Sequence, residues 1–153
     1  MDSIEEFLAN AVKLEEDAAN RFSDLAETMR IYGNTEVATF FAKMAEFSRL
    51  HLAEARARCG FRDVPKLDAD ASPWADGESP EAASMAMSHY LTTVEQALDA
   101  ALESERAGLA YYAGVAAGTS DPEIRMMAES FAAEEAEHVA ELERWRSRYP
   151  ATA

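Results

Sequence analysis

Phe131-Ala132-Ala133-Glu134-Glu135-Ala136-Glu137-His138 is the stretch from which the fold can be read. On a helix, Glu135 and His138 project from one side, about 60° apart, and can reach a single ion. A carboxylate beside an imidazole suits iron, manganese or zinc. Glu is abundant in this chain, and such pairs also arise on solvated helix faces, so the pair takes its meaning from its surroundings.

Those surroundings repeat. Met44-Ala45-x-x-Ser48-x-x-His51-x-x-Glu54 lies over Phe131-Ala132-x-x-Glu135-x-x-His138-x-x-Glu141. Upstream, Glu15 is followed along one helix face by Ala18, Phe22 and Ala26, and Glu105 by Gly108, Tyr112 and Ala116 in the same register. The offset is 90 residues from Glu15 to Glu105 and 87 from His51 to His138, a difference that a slightly longer first turn absorbs. A face mixing Glu with small and aromatic residues points inward and buries its acid. An internal duplication of this kind builds a pseudo-twofold bundle whose matching polar residues meet near the axis.

Four long helices carry the pattern. Ser3-x-x-Glu6 is a capping box, and Phe7, Ala11, Leu14, Ala18, Phe22, Leu25 and Met29 follow at helical period, predicting a helix over about 4–32 that stops at Gly33. Asn34 caps a second helix over 35–59, with Phe41, Met44, Ala45, Leu52 and Ala55 on its apolar side, ending at Gly60. Pro65, Pro73, Gly77 and Pro80 mark residues 60–92 as a long crossover, with a short helix over about 81–90. Thr92-x-x-Glu95 and Thr93-x-x-Gln96 both offer a start for a third helix over about 93–117, before Gly118. Asp121-Pro122-Glu123 opens a fourth over about 122–149, ahead of Pro150. Two antiparallel hairpins joined by one crossover make an all-α, ferritin-like four-helix bundle, read as a single domain over 1–153.

Bulk properties narrow the function. The 153 residues include 29 acidic and 14 basic ones, a formal charge of −15 that repels nucleic acid and anionic membranes and attracts cations. Cys59 is the only cysteine, which excludes an intrachain disulfide and any cysteine-based zinc or rubredoxin-type centre. The start, Met1-Asp2-Ser3-Ile4-Glu5-Glu6, lacks the basic and apolar regions of a signal peptide, and no run approaches the ~18 apolar residues of a membrane span. A cytoplasmic protein is expected.

The doubled pattern, the aromatic residues after each Glu and the run Phe131–His138 resemble the rubrerythrin-like branch of the ferritin-like di-iron carboxylate superfamily, over nearly the whole chain apart from the crossover. That resemblance implies two iron ions in the bundle core, with manganese or zinc as alternatives, reacting with dioxygen, peroxide or ferrous iron. Glu15 and Glu105 would be flanking carboxylates, Glu135 a bridging one, and His51 and His138 would give one nitrogen to each ion. Tyr112 would bond a liganding carboxylate. Ser48 stands where the second bridging acid belongs, and Gly108 where rubrerythrins carry a further acid. With three Glu against four positive charges, a hydroxide or outside carboxylate fills in or one ion binds weakly; Ser48→Glu is predicted to raise the stoichiometry towards two. The lone Cys59 excludes a fused rubredoxin centre, so electrons would come from an external donor.

Two function classes follow: an oxidoreductase with an atypical site, or a non-catalytic metal-binding or structural bundle whose site is mononuclear or empty. Phe22, Tyr112, Phe131 and Trp145 read as core, and Glu134, Glu137, Glu141 and Glu143 as a solvated face. His89 and Trp74 fall in the crossover, outside the repeat. By analogy with other ferritin-like bundles, a homodimer is expected.

Overall fold

A computed structural model describes residues 3–60, 62, 64 and 93–149. Trp74, His89, the expected short helix over 81–90 and nearly all of the expected crossover lie outside these residues. Four α-helices are present: α1 (Ile4–Ile31), α2 (Thr35–Cys59), α3 (Val94–Gly118) and α4 (Pro122–Ser147). Among the described residues there is no β-strand.

The helix ends follow from local chemistry. Ser3 Oγ accepts from the Glu6 backbone N–H, and Asn34, Thr93 and Asp121 cap the other three helices in the same way. Of the two threonines that could open α3, Thr93 is the cap. Gly33 ends the α1 turn at φ +81°, where a side chain would be strained, and the Asn34 N–H bonds back to the Met29 carbonyl at 2.9 Å. Three residues, 32–34, therefore reverse the chain, and 119–121 do the same between α3 and α4.

α1 packs on α2 and α3 on α4, and α1 also touches both α3 and α4. The result is a ferritin-like four-helix bundle built from two hairpins. Its apolar interior falls into two clusters. One gathers Phe22, Leu25, Met29, Phe41, Met44, Leu98 and Leu142; the other gathers Phe7, Leu8, Leu14, Tyr112, Ile124 and Phe131. Phe22, Tyr112 and Phe131 are fully buried, as read from the sequence, while Trp145 is only partly buried and stacks on Phe40 at 4.3 Å.

Each helix crosses from one cluster to the other, and each carries buried polar residues near the crossing. Among them are Glu15 and Arg21 on α1, Ser48 on α2, Ser104 and Glu105 on α3, and Glu135 and His138 on α4; Asn10 and Asp17 are also buried on α1. A polar layer thus sits between two oily ends, where desolvation strengthens every charge interaction.

Candidate metal centre

Glu105, Glu135 and His138 form the heart of this layer. One ligand atom from each lies within 4.8 Å of the others, and all three residues are buried. Metal–ligand bonds of about 2.0–2.2 Å put two ligands of one ion at most about 4.4 Å apart, so the group needs to close by only a few tenths of an ångström. His138 Nδ1 is 3.6 Å from Glu105 Oε2 and 4.0 Å from Glu135 Oε2, beyond hydrogen bonding but well within charge attraction.

Glu15 approaches from α1. Its Oε1 accepts a hydrogen bond of 3.2 Å from the Tyr112 hydroxyl, and Tyr112 is itself wedged against Phe7 and Phe131. The tyrosine expected to orient a carboxylate does so, but across the bundle, to the acid of the other repeat. Gly108, on α3, faces the same space: a Cβ there would stand 3.6 Å from Leu14 Cδ2 and 3.8 Å from the Glu135 carboxylate. The position that the resemblance gives to a further acid therefore abuts the group, and here it is filled by bare backbone.

His51 lies at the edge. Its ring stacks on His138 with centroids 4.9 Å apart and planes 12° from parallel. Its Nε2 faces Glu134 Oε2 at 3.6 Å, so Glu134 is half-buried against an imidazole and not part of the solvated face to which the sequence assigned it. Of the five residues expected as ligands, the structure gathers Glu105, Glu135 and His138 into one group, with Glu15 and His51 on its two flanks. Ser48 is fully buried beside them in the layer.

Two side chains were not anticipated from the sequence. Arg21 is fully buried, and its Nη2 donates to Glu105 Oε1 at 2.6 Å while its guanidinium carbon lies 3.9 Å from the Phe22 ring centroid. Its signal was the helical period itself: Arg21 falls with Leu14, Ala18 and Leu25 on the inward stripe of α1. Glu134 is the second; it stands four residues before His138, a spacing that places both on one face.

The electrostatics follow from this geometry. Burial, reinforced by the Glu105 charge, raises Glu15 to about 7 despite its hydrogen bonds. Burial also pushes Glu105 upward, but the adjoining Glu135 and His138 side chains and the Arg21 guanidinium override it and bring it down to about 2. For His138, the Glu105 carboxylate more than reverses the downward pull of burial, so its pKa is raised; burial and the charge of His138 lower that of His51. Burial and the neighbouring Glu54 carboxylate raise Glu134 to about 7.

The donor set fits a cation. Glu15 Oε2, Glu105 Oε2 and His138 Nδ1 are buried and have no hydrogen-bond partner, a costly state that a bound ion would relieve. Carboxylates with imidazole are the ligands of first-row divalent metals. An open groove of about 790 Å³ between α2 and α4, lined by Phe40, Met44, Phe47, His51, His138 and Trp145, leads from the surface to the two histidines.

Comparison with known proteins agrees with this architecture. The family model described as rubrerythrin matches residues 6–70, which hold all but the first two residues of α1 and the whole of α2. A crystal structure of an uncharacterized conserved protein from Magnetospirillum magnetotacticum MS-1 superimposes with a TM-score of 0.83 and 39% identity, covering 99% of this chain and 98% of that one. Among curated proteins there is no match. A doubled four-helix bundle that shares this much sequence over its full span belongs to the rubrerythrin-like family of ferritin-like proteins.

Proposed function

We propose that this protein is a metal-dependent oxidoreductase of the cytoplasm that holds redox-active iron at Glu105, Glu135 and His138, with Glu15 as a further carboxylate. The observation that carries this reading is the buried group itself, two carboxylates and an imidazole with one ligand atom of each within 4.8 Å of the others. Iron held there would supply one-electron redox chemistry towards dioxygen or peroxide; ferrous iron is also a candidate substrate. Manganese or zinc would fit the same donors.

The chain's own residues have definite tasks. Glu15, raised to about 7 by burial, would have to release its proton to serve as a ligand, and the Tyr112 hydroxyl holds that carboxyl group in place. His138, whose pKa is raised by the Glu105 carboxylate, would likewise have to be neutral to offer a nitrogen to an ion. His51, facing the groove and bearing the lowered pKa, stays neutral and can carry protons between the half-buried Glu134 and the centre. Phe40, Phe47 and Trp145 line the approach together with the charged Lys43, Glu137 and Arg144, so the groove is open to a small oxidant and to water alike. Electrons come from a separate donor.

A second reading, a non-catalytic bundle, is favoured by Ser48 and by the Arg21–Glu105 pair, which already satisfies part of the layer. One experiment divides them: elemental analysis of protein from iron-replete cells, followed by anaerobic ferrous titration and admission of oxygen. Bound ferrous iron that turns ferric on exposure supports the oxidoreductase. Absence of iron, or bound iron inert to oxygen and peroxide, leaves the structural module.

A further inference from the structure

We propose that the Arg21 guanidinium stands in for the second metal ion, making this a single-ion centre with a built-in organic cation. The proposal rests on the reading that the layer binds metal, and concerns how many ions it takes. Arg21 is fully buried, donates to Glu105 Oε1 at 2.6 Å and lies against the face of Phe22. It is therefore a fixed part of the core.

Charge decides the stoichiometry. Glu15, Glu105 and Glu135 bring three negative charges when ionised, and Arg21 cancels one, leaving the equivalent of one divalent ion. Ser48 acts in the same direction by withholding the acid that would help a second ion. An uncompensated charge in this water-poor layer is costly, so a second dication has no counter-charge to meet.

Geometry says the same. Glu105 turns one oxygen to Arg21 and the other towards His138. A dication bonded to the first oxygen would lie within about 5 Å of the guanidinium, close enough for strong repulsion at low dielectric. Glu105 thus has one oxygen for metal and one for arginine.

The test counts Mn²⁺ bound per chain by native mass spectrometry and reads its coupling by electron paramagnetic resonance, in four proteins. The native chain and Arg21→Lys, which keeps the charge, bind one ion each, with the hyperfine pattern of an isolated ion. Ser48→Glu alone also stays at one, where the sequence taken by itself predicts two. Arg21→Met with Ser48→Glu rises to two and shows exchange coupling. Two ions in the native chain, or in Ser48→Glu, would overturn the assignment of Arg21 while leaving the metal site standing. So would a doubly substituted protein that folds and still binds one. No binding by any of the four would remove the metal reading itself, and the Arg21 assignment with it. Should the double variant fail to fold, the count for Ser48→Glu still decides, because one ion there opposes the rise towards two that the carboxylate pattern predicts.

Discussion

In the α3–α4 hairpin, Glu105, Glu135 and His138 converge in one buried group, whereas the α1–α2 hairpin brings Glu15, Arg21, Ser48 and His51 to the same layer. The matching positions show how the halves diverged. Ser48 answers Glu135; Arg21, six residues after Glu15, answers Tyr111, six after Glu105. Tyr111 is partly buried on the periphery of its apolar cluster, with Asn10 as a side-chain partner. Arg21 instead lies in the layer and pairs with an acid of the other half. One repeat thus concentrates ligands and the other lends a counter-charge. The lesson is that duplication preserves backbone and packing more readily than charge, because a single buried cation resets the needs of the whole layer.

The largest break in this comparison comes from the Arg21/Tyr111 pair. In metal-free protein, Arg21→Met leaves Glu105 buried without its cation and is expected to cost about 3–5 kcal/mol, the range for breaking a buried ion pair from one side. Tyr111→Phe removes only a hydroxyl and should cost about 1 kcal/mol. Urea denaturation of chelator-treated protein measures both. Equal losses at the two positions would mean that the hairpins are equivalent after all, and that Arg21 gains nothing from its ion pair. Added divalent metal should restore more stability to the Arg21 variant than to the native chain.

How far the sequence alone reaches is clearest at these residues. The bundle was legible because its signals are local: the caps at Ser3, Asn34, Thr93 and Asp121, the stop at Gly33, and the inward stripes of all four helices. The central acids were legible because the repeat sets Glu15 over Glu105 and His51 over His138. Arg21 was only half legible: the helical period sets it on the inward stripe of α1, but its partner Glu105, at 2.6 Å, comes from another helix. Glu134 was hidden for the related reason that its partner His51 comes from α2, across the bundle. Contacts between distant segments are set by packing, which no periodicity encodes.

The acids and hydroxyls of the layer sharpen the contrast next. Glu135→Gln should weaken metal binding by roughly 100-fold or more, because loss of a ligand exceeds the 10–100-fold typical of outer contacts. Ser48→Ala, at the matching position, should leave affinity unchanged. It should also stabilise the protein by about 1 kcal/mol, since the Ser48 hydroxyl is buried with no partner. Calorimetric titration with Mn²⁺ and denaturation of both variants provide the readouts. A large loss of affinity in Ser48→Ala would place that hydroxyl at the metal.

Acidity separates the flanking groups. Glu15 rises from 4.5 to about 7 on folding, so between those values the folded chain holds a proton that the unfolded chain has lost. Stability of the metal-free protein should therefore fall as pH rises through that window. His138, also raised, adds to the same trend: its contribution is present at low pH and lost as pH climbs through its folded value. Glu105, held down near 2, works oppositely and is lost as pH drops below its unfolded 4.5. The melting temperature of metal-free protein should peak near about pH 5 and decline towards pH 8. Metal binding removes protons from Glu15 and His138, so the stabilisation by metal should grow over the same rise in pH. A flat metal-free profile would show that neither group titrates as the burial implies.

The smallest effect tests whether the halves can be made more alike. Ala18 in α1 and Gly108 in α3 occupy equivalent positions, three residues beyond Glu15 and Glu105. Gly108 has ordinary helical backbone, so nothing in its conformation demands glycine. A methyl there meets Leu14 Cδ2 at 3.6 Å and the Glu135 carboxylate at 3.8 Å, both normal van der Waals distances. Gly108→Ala should therefore recover most of the helix-propensity difference, about 0.5–1 kcal/mol, as a rise in melting temperature. Because the added carbon touches Glu135 without displacing it, Mn²⁺ affinity should stay within about twofold, a change of under 0.5 kcal/mol. A clear loss of affinity with retained stability would mean that bare backbone at 108 is needed for room beside Glu135. The missing acid at this position would then be a requirement of the single-ion centre and not a gap in it.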